Sequence, residues 1–202
     1  MKMSKGWIIL LVVVGLFVVM GMSISGSYNG MVSADESVTN SWAQVENVYQ
    51  RRADLIPNLV KTVEGAANFE KSTLTAVVEA RASATAVKID PSKLTESNIA
   101  AYQKAQDGLS SALSRLMVVV EKYPDLKANQ NFLELQAQLE GTENRIAVER
   151  GKFNDEVKSF NTMVRAFPRN MMAGMFGFEK KGYFAAQAGA DKAPGVKFEF
   201  GK

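Results

Sequence analysis

The residue types that most often do chemistry in proteins are scarce in this chain. It contains no histidine and no cysteine, so the commonest general base, the commonest soft metal ligands and disulfides are all absent. A di-iron bundle of the usual Glu-x-x-His type is thereby excluded. An all-carboxylate metal site built from Glu70, Glu140 or Glu143 is formally open, but carboxylates on long helices are usually solvated or paired with arginine. We therefore expect no enzyme activity, no metal and no cofactor.

Several polar residues nevertheless stand at or beside the apolar positions of predicted helices. One interpretation is a shared interface or a ligand pocket, and the favoured one is a buried ion-paired layer that fixes the register of the helices. We expect Arg52 or Arg81 to pair with a nearby acid inside the bundle. The candidates for this layer or interface are Arg52, Asp54, Pro57, Asn58, Glu70, Arg81, Glu143, Asn144, Arg150 and Asn154.

An apolar run at the N-terminus must place these residues at a membrane. No charge occurs from Gly6 to Ala34, and the 18 residues 7–24 span ~27 Å as a helix, close to the thickness of the hydrocarbon layer. A cleaved signal peptide ending near Ser25 is the alternative, but the run exceeds the usual ~7–15 residues of a signal core. The residues assigned to the uncleaved anchor are Trp7, Ile8, Leu10, Leu11, Leu16, Phe17 and Ile24.

The charges that flank this run predict its orientation. Lys2 and Lys5 precede it, whereas the first charges after it are Asp35 and Glu36. Because positive charge stays on the cytoplasmic side, we expect a single-pass protein of the bacterial cytoplasmic membrane with its N-terminus inside and its domain extracytoplasmic. Without the two lysines, 22 of the 24 basic residues remain against 21 acidic ones. Those charges are mixed along the chain, so no nucleic-acid surface is predicted.

Seven-residue repeats predict long packed helices after the anchor. The clearest repeat is Val38, Trp42, Val45, Tyr49, Arg52, Ile56, Leu59 and Val63. Pro57 lies inside it and predicts a kink or a restart of the helix. The glycines at 26 and 30 either loosen the helix after the membrane or leave it straight.

Three further helices follow from the same reasoning. They are predicted at about 69–87, from Thr95 to the residues before Pro124, and at about 129–167. The fold class is therefore all-α, with one N-terminal transmembrane helix followed by an elongated antiparallel four-helix bundle. The predicted boundaries are 1–26 for the short N-terminus and anchor, 27–168 for the bundle, and 169–202 for an apolar, Gly/Ala-rich tail.

The start of the tail is apolar without a clear period. Its methionines could suggest Cu(I), because thioethers are soft ligands, but adaptable apolar contacts are the favoured interpretation. The bundle, a membrane surface and a neighbouring subunit are all open as the partner of this segment. The residues predicted to make these contacts are Met171, Met172, Met175, Phe176 and Phe178.

The stretch from Arg51 to Val60, RRADLIPNLV, resembles the hallmark of the LemA family of bacterial membrane proteins. The likeness extends to the segment WAQV at 42–45, to EKYPDLKAN at 121–129 and to Glu143-Asn144. Phe153 and Phe160 stand where many members have tyrosine. The resemblance implies a helical bundle behind one membrane helix and brings no enzyme activity. Some members are associated with membrane organelles, envelope maintenance or membrane proteases.

Three functions are carried forward. The first is a non-enzymatic, membrane-anchored scaffold that forms homo-oligomers and organises the bacterial envelope or a membrane. The second is a monomeric adaptor for a membrane-protein partner such as a protease. The third is a metal- or ligand-binding bundle.

Overall fold

The computed structural model describes residues 5–65 and 69–186 of the 202-residue chain. Lys2 and the end of the predicted tail, from residue 187, lie outside the described residues. Within them the chain is helical and has no strand, which confirms the all-α class. The helices are α1 (Lys5–Glu64), α2 (Lys71–Ala86), α3 (Glu96–Val120), α4 (Pro124–Lys127), α5 (Gln130–Arg165) and α6 (Arg169–Phe176), with one 3-10 turn at Pro91–Lys93.

The first helix is continuous from the apolar segment to the far end of the bundle. Its 60 residues span about 90 Å at the α-helical rise per residue. The glycines at 26 and 30 do not interrupt it, and the predicted boundary at residue 26 falls inside it. Of the two alternatives predicted at Pro57, a kink or a restart, the restart is wrong, because the helix continues through this residue to Glu64.

The long helices of the described residues make antiparallel contacts. Helix α5 runs against α1, since Arg52 contacts Glu143 while Trp42, ten residues earlier on α1, contacts Phe153, ten residues later on α5. Helices α2 and α3 form a hairpin, in which the side chain of Gln106 reaches the carbonyl of Ala84.

The predicted starts of α3 and α5 are confirmed by their caps. Thr95 Oγ1 accepts a hydrogen bond from the backbone N–H of Asn98, at 3.3 Å. Asn129 Oδ1 accepts one from the N–H of Phe132, at 3.2 Å. Each bond satisfies a donor that the first turn of a helix leaves free.

Two apolar cores lie along the bundle, and every predicted seam residue of α1 from Val38 to Val63 is buried. We call the one nearer the apolar segment the anchor-side core. It contains Trp42, Tyr102, Phe153 and Phe160. The distal core contains mostly leucine and valine, with Leu59 and Leu116 fully buried. Arg52 lies between the two along α1.

The chain reverses after α5 and returns along the bundle. Helix α6 ends at Gly177, whose φ of 76° is in the left-handed region that favours glycine. Residues 178–186, here called the tail segment, contain no regular secondary structure. They reach back to Phe184, which is buried against the anchor-side core.

Candidate functional site

Arg52 lies at the centre of a buried polar layer. Its Nη1 donates to Glu143 Oε2 on α5, at 2.8 Å, and to the Ser110 hydroxyl on α3, at 2.7 Å. Its Nη2 donates to the side-chain oxygen of Gln106 at 2.8 Å and to the Gln106 carbonyl at 3.2 Å. Of the acids considered with it, Arg52 thus pairs with Glu143. One guanidinium connects three helices.

The aromatic residues around the Arg52 layer add no charge to it. The guanidinium lies over the ring of Tyr49, 5.0 Å from its centroid. Burial raises the pKa of the Tyr49 hydroxyl, and burial likewise raises the pKa of Tyr102. Both phenols therefore stay neutral at physiological pH. The charges of the layer are then those of Arg52 and of Glu143, whose side chain is 45% exposed.

A second arginine compensates for the proline inside α1. Pro57 has no backbone N–H, so the carbonyl of Ala53, four residues earlier, loses its usual helical partner. Arg81 Nε on α2 donates to this carbonyl at 2.8 Å. Arg81 therefore bonds to the backbone of α1, and the contact connects α2 to α1 where the helical ladder is open.

The remaining polar candidates divide into two groups. Asp54, Pro57, Asn58, Glu70 and Asn144 are exposed. Asp54 accepts a bond from Gln50, one turn earlier on the same helix. Arg150 and Asn154 lie outside the Arg52 layer and bond to the tail segment instead. The candidates therefore belong to different places in the bundle.

Side-chain amides hold the tail segment by its backbone. Asn161 on α5 donates to the carbonyl of Lys181 and accepts from its N–H, both at 2.9 Å. Asn154, two turns earlier, makes the same pair of bonds with Phe184, at 3.0 and 2.9 Å. An amide side chain can donate and accept at once, so it can bond to both groups of a single residue.

The end of the tail segment is held from two helices. Gln103 on α3 accepts from the N–H of Ala185 at 3.0 Å and donates to its carbonyl at 3.3 Å. Arg150 donates to the same carbonyl at 2.8 Å. The ring of Phe184 stacks at 6.0 Å on Trp42 and meets Phe153 edge-on at 5.4 Å. This groove thus holds a segment without regular secondary structure, by bonds to its backbone and by the rings of Phe178 and Phe184.

Sequence reasoning missed much of this groove. Gln103 was not singled out, and Asn154 was a candidate for a polar layer or interface, whereas its amide bonds to the backbone of Phe184. The available signal was the spacing of Asn154 and Asn161, which are seven residues apart and each follow a core phenylalanine. Two amides so placed lie on one face of a helix beside its apolar stripe.

An open cleft of about 380 Å³ lies beside the polar layer, lined among others by Glu46, Tyr49, Lys88 and Tyr102. Burial raises the pKa of the Glu46 carboxyl, and Trp42 and Lys88 oppose the shift. Within the described ranges no group of three or more acidic, histidine or cysteine residues could hold a metal ion.

The predicted anchor residues are exposed along α1, and α1 is the one helix of the described chain that is long and apolar enough to cross a membrane. Of the predicted tail contacts, Phe176 and Phe178 pack edge-on against Tyr28 on α1, with ring centroids 4.9 and 5.8 Å away. Met172 packs against the anchor-side core. Met171 and Met175 are exposed.

A sequence model described as the LemA family matches residues 41–198 of this chain. The chain belongs to the LemA family. The match covers the distal part of α1, the whole polar layer and the groove of the tail segment. The resemblance expected from the Arg51–Val60 stretch is thereby confirmed.

Individual relatives bear magnetosome and LemA names. The magnetosome protein MamQ of Magnetospirillum gryphiswaldense is 29% identical over 181 residues, covering 81% of this chain and 66% of its own. MamQ 1 of Paramagnetospirillum magneticum is 28% identical with the same coverage. Protein LemA of Metamycoplasma hominis is 23% identical over 148 residues, 73% of this chain and 64% of its own. The chain thus spans just under two thirds of the length of these LemA-family relatives.

Proposed function

We propose that this protein is a non-enzymatic, single-pass scaffold that assembles with copies of itself in the bacterial cytoplasmic membrane. The observation that carries the proposal is the continuity of α1 from the apolar segment through both cores. A helix without a break holds the bundle at one angle to its anchor. Every copy in a membrane would then present the same faces at the same height.

Anchoring strengthens weak contacts between such copies. Molecules confined to one plane have a high effective concentration, so modest lateral contacts suffice for assembly. The polar groups inside the bundle support a structural role, because Arg52, Gln106 and Arg81 all bond to other helices. The similarity to magnetosome proteins fits a role in organising a membrane.

The mass of the assembly tests this function. Full-length protein in mild detergent is compared with a chain that lacks residues 1–26, by light scattering and negative-stain imaging. The shorter chain keeps both cores, whose first residue is Met31. A large closed assembly that requires the anchor is expected. Monomers in both samples would exclude self-assembly.

The orientation is tested separately. The chain has no cysteine, so a single cysteine introduced at exposed Val118 reports one site. We expect a membrane-impermeant maleimide to label it in intact cells, since the proposed bundle is extracytoplasmic. Labelling only after lysis would reverse the orientation.

The groove of the tail segment favours a second candidate, an adaptor for another membrane protein. It binds a segment without regular secondary structure through several backbone groups, and recognition of backbone groups accepts many sequences. A partner's extended segment could replace residues 178–186 there. Monomeric protein that captures a membrane partner only when Asn154 and Asn161 are intact would support the adaptor.

A further inference from the structure

Helix α6 exposes apolar side chains on the face that points away from its own bundle. Ala173 is buried against the anchor-side core. On the opposite face, Met171 and Met175 follow one another at a spacing of one turn and are 65% and 81% exposed. Phe167, just before the helix, is 82% exposed. We call these three exposed side chains the apolar surface of α6, and nothing in the described chain covers them.

This surface lies level with the edge of the predicted bilayer. The ring of Phe176, at the end of α6, packs on Tyr28 of α1. Tyr28 follows Ile24, the last residue of the apolar run, by about 6 Å along the helix axis. The headgroup layer is about 5 to 8 Å thick on each side, since a hydrocarbon core of ~30 Å lies within a bilayer of ~40–45 Å. Tyr28 and α6 therefore fall within the headgroup layer.

The other end of α6 lies at a similar height. Helix α5 runs antiparallel to α1, so its last turn returns towards the membrane. A Cβ atom added at Gly30 would lie 4.0 Å from Met163 Sδ in that turn. Gly30 is only about 3 Å further along the axis than Tyr28. Exposed Arg165 follows, and Arg169 begins α6, so positive charges flank the apolar surface, as in helices that lie on anionic lipid.

We infer that α6 is a second membrane contact, which lies in the lipid interface with Phe167, Met171 and Met175 inserted among the headgroups and upper acyl chains. The inference rests on the proposed membrane span. Two contacts, one across the bilayer and one along its surface, fix the rotation of the bundle about α1 as well as its tilt. The occupant of the surface is lipid, and a second copy of the chain is the competing outcome of the test.

Depth-dependent quenching in full-length protein tests the inference. A single cysteine replaces Met175, carries an NBD fluorophore and is reconstituted into phosphatidylcholine vesicles with a minority of phosphatidylglycerol and lipids brominated in the acyl chain. Matched labels replace Phe17 in the anchor and Val118, an exposed apolar residue on α3. We expect blue-shifted emission and several-fold stronger quenching at position 175 than at 118, and the strongest quenching at 17.

The outcomes separate the two proposals. Quenching at 17 with equal, weak quenching at 175 and 118 would overturn the docking of α6 and leave the span intact. Absence of quenching at 17 would overturn the span and the docking together. Protection at 175 that follows protein density rather than brominated lipid would assign the surface to a second copy and overturn the inference.

A polar variant with a matched control gives an independent check. With the label at Phe167, the pair Met171→Gln and Met175→Gln is compared with Val118→Gln and Val148→Gln, two exposed residues elsewhere in the bundle. We expect the first pair to reduce quenching at 167 several-fold and the control pair to leave it unchanged, with equal helicity by circular dichroism. Equal quenching in both variants would contradict the lipid contact.

Discussion

Trp42 and Leu116 are both fully buried, but they belong to two halves of the bundle that are built differently. The anchor-side core around Trp42 is aromatic, and a returning segment of the chain completes it with Phe184. The distal core around Leu116 is largely aliphatic and is completed by the helices themselves. The layer around Arg52 separates them.

The two halves also differ in the contacts that hold them together, which are side-chain packing in one half and hydrogen bonds to the backbone in the other. In the distal half, helix contacts come from side chains at regular seam positions. In the anchor-side half, the amides of Asn154, Asn161 and Gln103 bond to the backbone of a segment without secondary structure. Packing of regular helices is cooperative across a core, whereas a bonded segment can detach alone. In the anchor-side half, therefore, the tail segment can detach without unfolding of the helices.

The largest effect is expected from Arg52, because it touches both halves. Replacement by alanine leaves Gln106 and Ser110 without their partner and opens a cavity, so Arg52→Ala should lower the free energy of unfolding by about 3 kcal/mol. Urea unfolding of the full chain in detergent measures this. Glu143→Gln is the matched variant, and its half-exposed carboxylate should make the loss ~1 kcal/mol or less. Equal losses for the two variants would show that the ion pair, rather than the arginine network, stabilises the layer.

Phe184→Ala tests whether the tail segment detaches alone. The side chain is 4% exposed, and its removal should cost about 2 kcal/mol, less than a rigid core site because the segment can release. Hydrogen exchange should rise throughout 178–186 and stay unchanged in α2 and the distal part of α3. Tyr183→Ala, at an exposed neighbour, should change neither. Faster exchange across both halves would mean that the segment and the distal core unfold together.

The seams of α1 and α3 could be predicted from the sequence because apolar side chains at helical spacing leave a periodic record. Arg52 stands at a position of the α1 repeat and is buried there. Its partner Gln106 lies at helical spacing between Tyr102 and Leu109, which are both buried. Ser110 could not be foreseen, because a small hydroxyl on a helix carries no positional signal of its own.

The backbone bonding of the tail segment could not be predicted, although Phe178 was a predicted contact. The bonds to Asn154, Asn161 and Gln103 use backbone groups, which every residue possesses, so they leave no pattern in the sequence of the segment. Helix α6 was not predicted, because its eight residues are fewer than the roughly 11 to 18 over which a helical period can be recognised. The carbonyl of Ala53, which Pro57 leaves without a helical donor, bonds to Arg81, 28 residues away along the chain, and such a contact leaves no local signal.

Asn154→Asp should lower the free energy of detaching the tail segment by about 1.5 kcal/mol near neutral pH. The carboxylate still accepts a bond from the N–H of Phe184, but it has no donor for the carbonyl of Phe184. Repulsion and partial burial raise the pKa of the introduced carboxyl above its unfolded value of ~3.9. Protonation restores a donor, so the defect is present at neutral pH and diminishes as the pH falls through the raised pKa. Exchange of the Phe184 amide as a function of pH measures this. Asn144→Asp, at an exposed site, should be neutral, and a pH-independent defect at 154 would contradict the bonding scheme.

The smallest effect concerns the link between Arg81 and the proline of α1. Arg81→Met should cost about 1 kcal/mol, because the buried carbonyl of Ala53 then has no donor. Pro57→Ala supplies the missing helical N–H to the same carbonyl. In that background Arg81→Met should cost much less, so the double-mutant cycle should give a coupling close to the whole single-mutant loss. Arg51→Met, at an exposed neighbour of the layer, is the control and should be additive with Pro57→Ala. Additivity of Arg81→Met and Pro57→Ala would show that the arginine stabilises α2 by packing alone. Helix α1 would then continue through Pro57 without any contribution from the bond between Arg81 and Ala53.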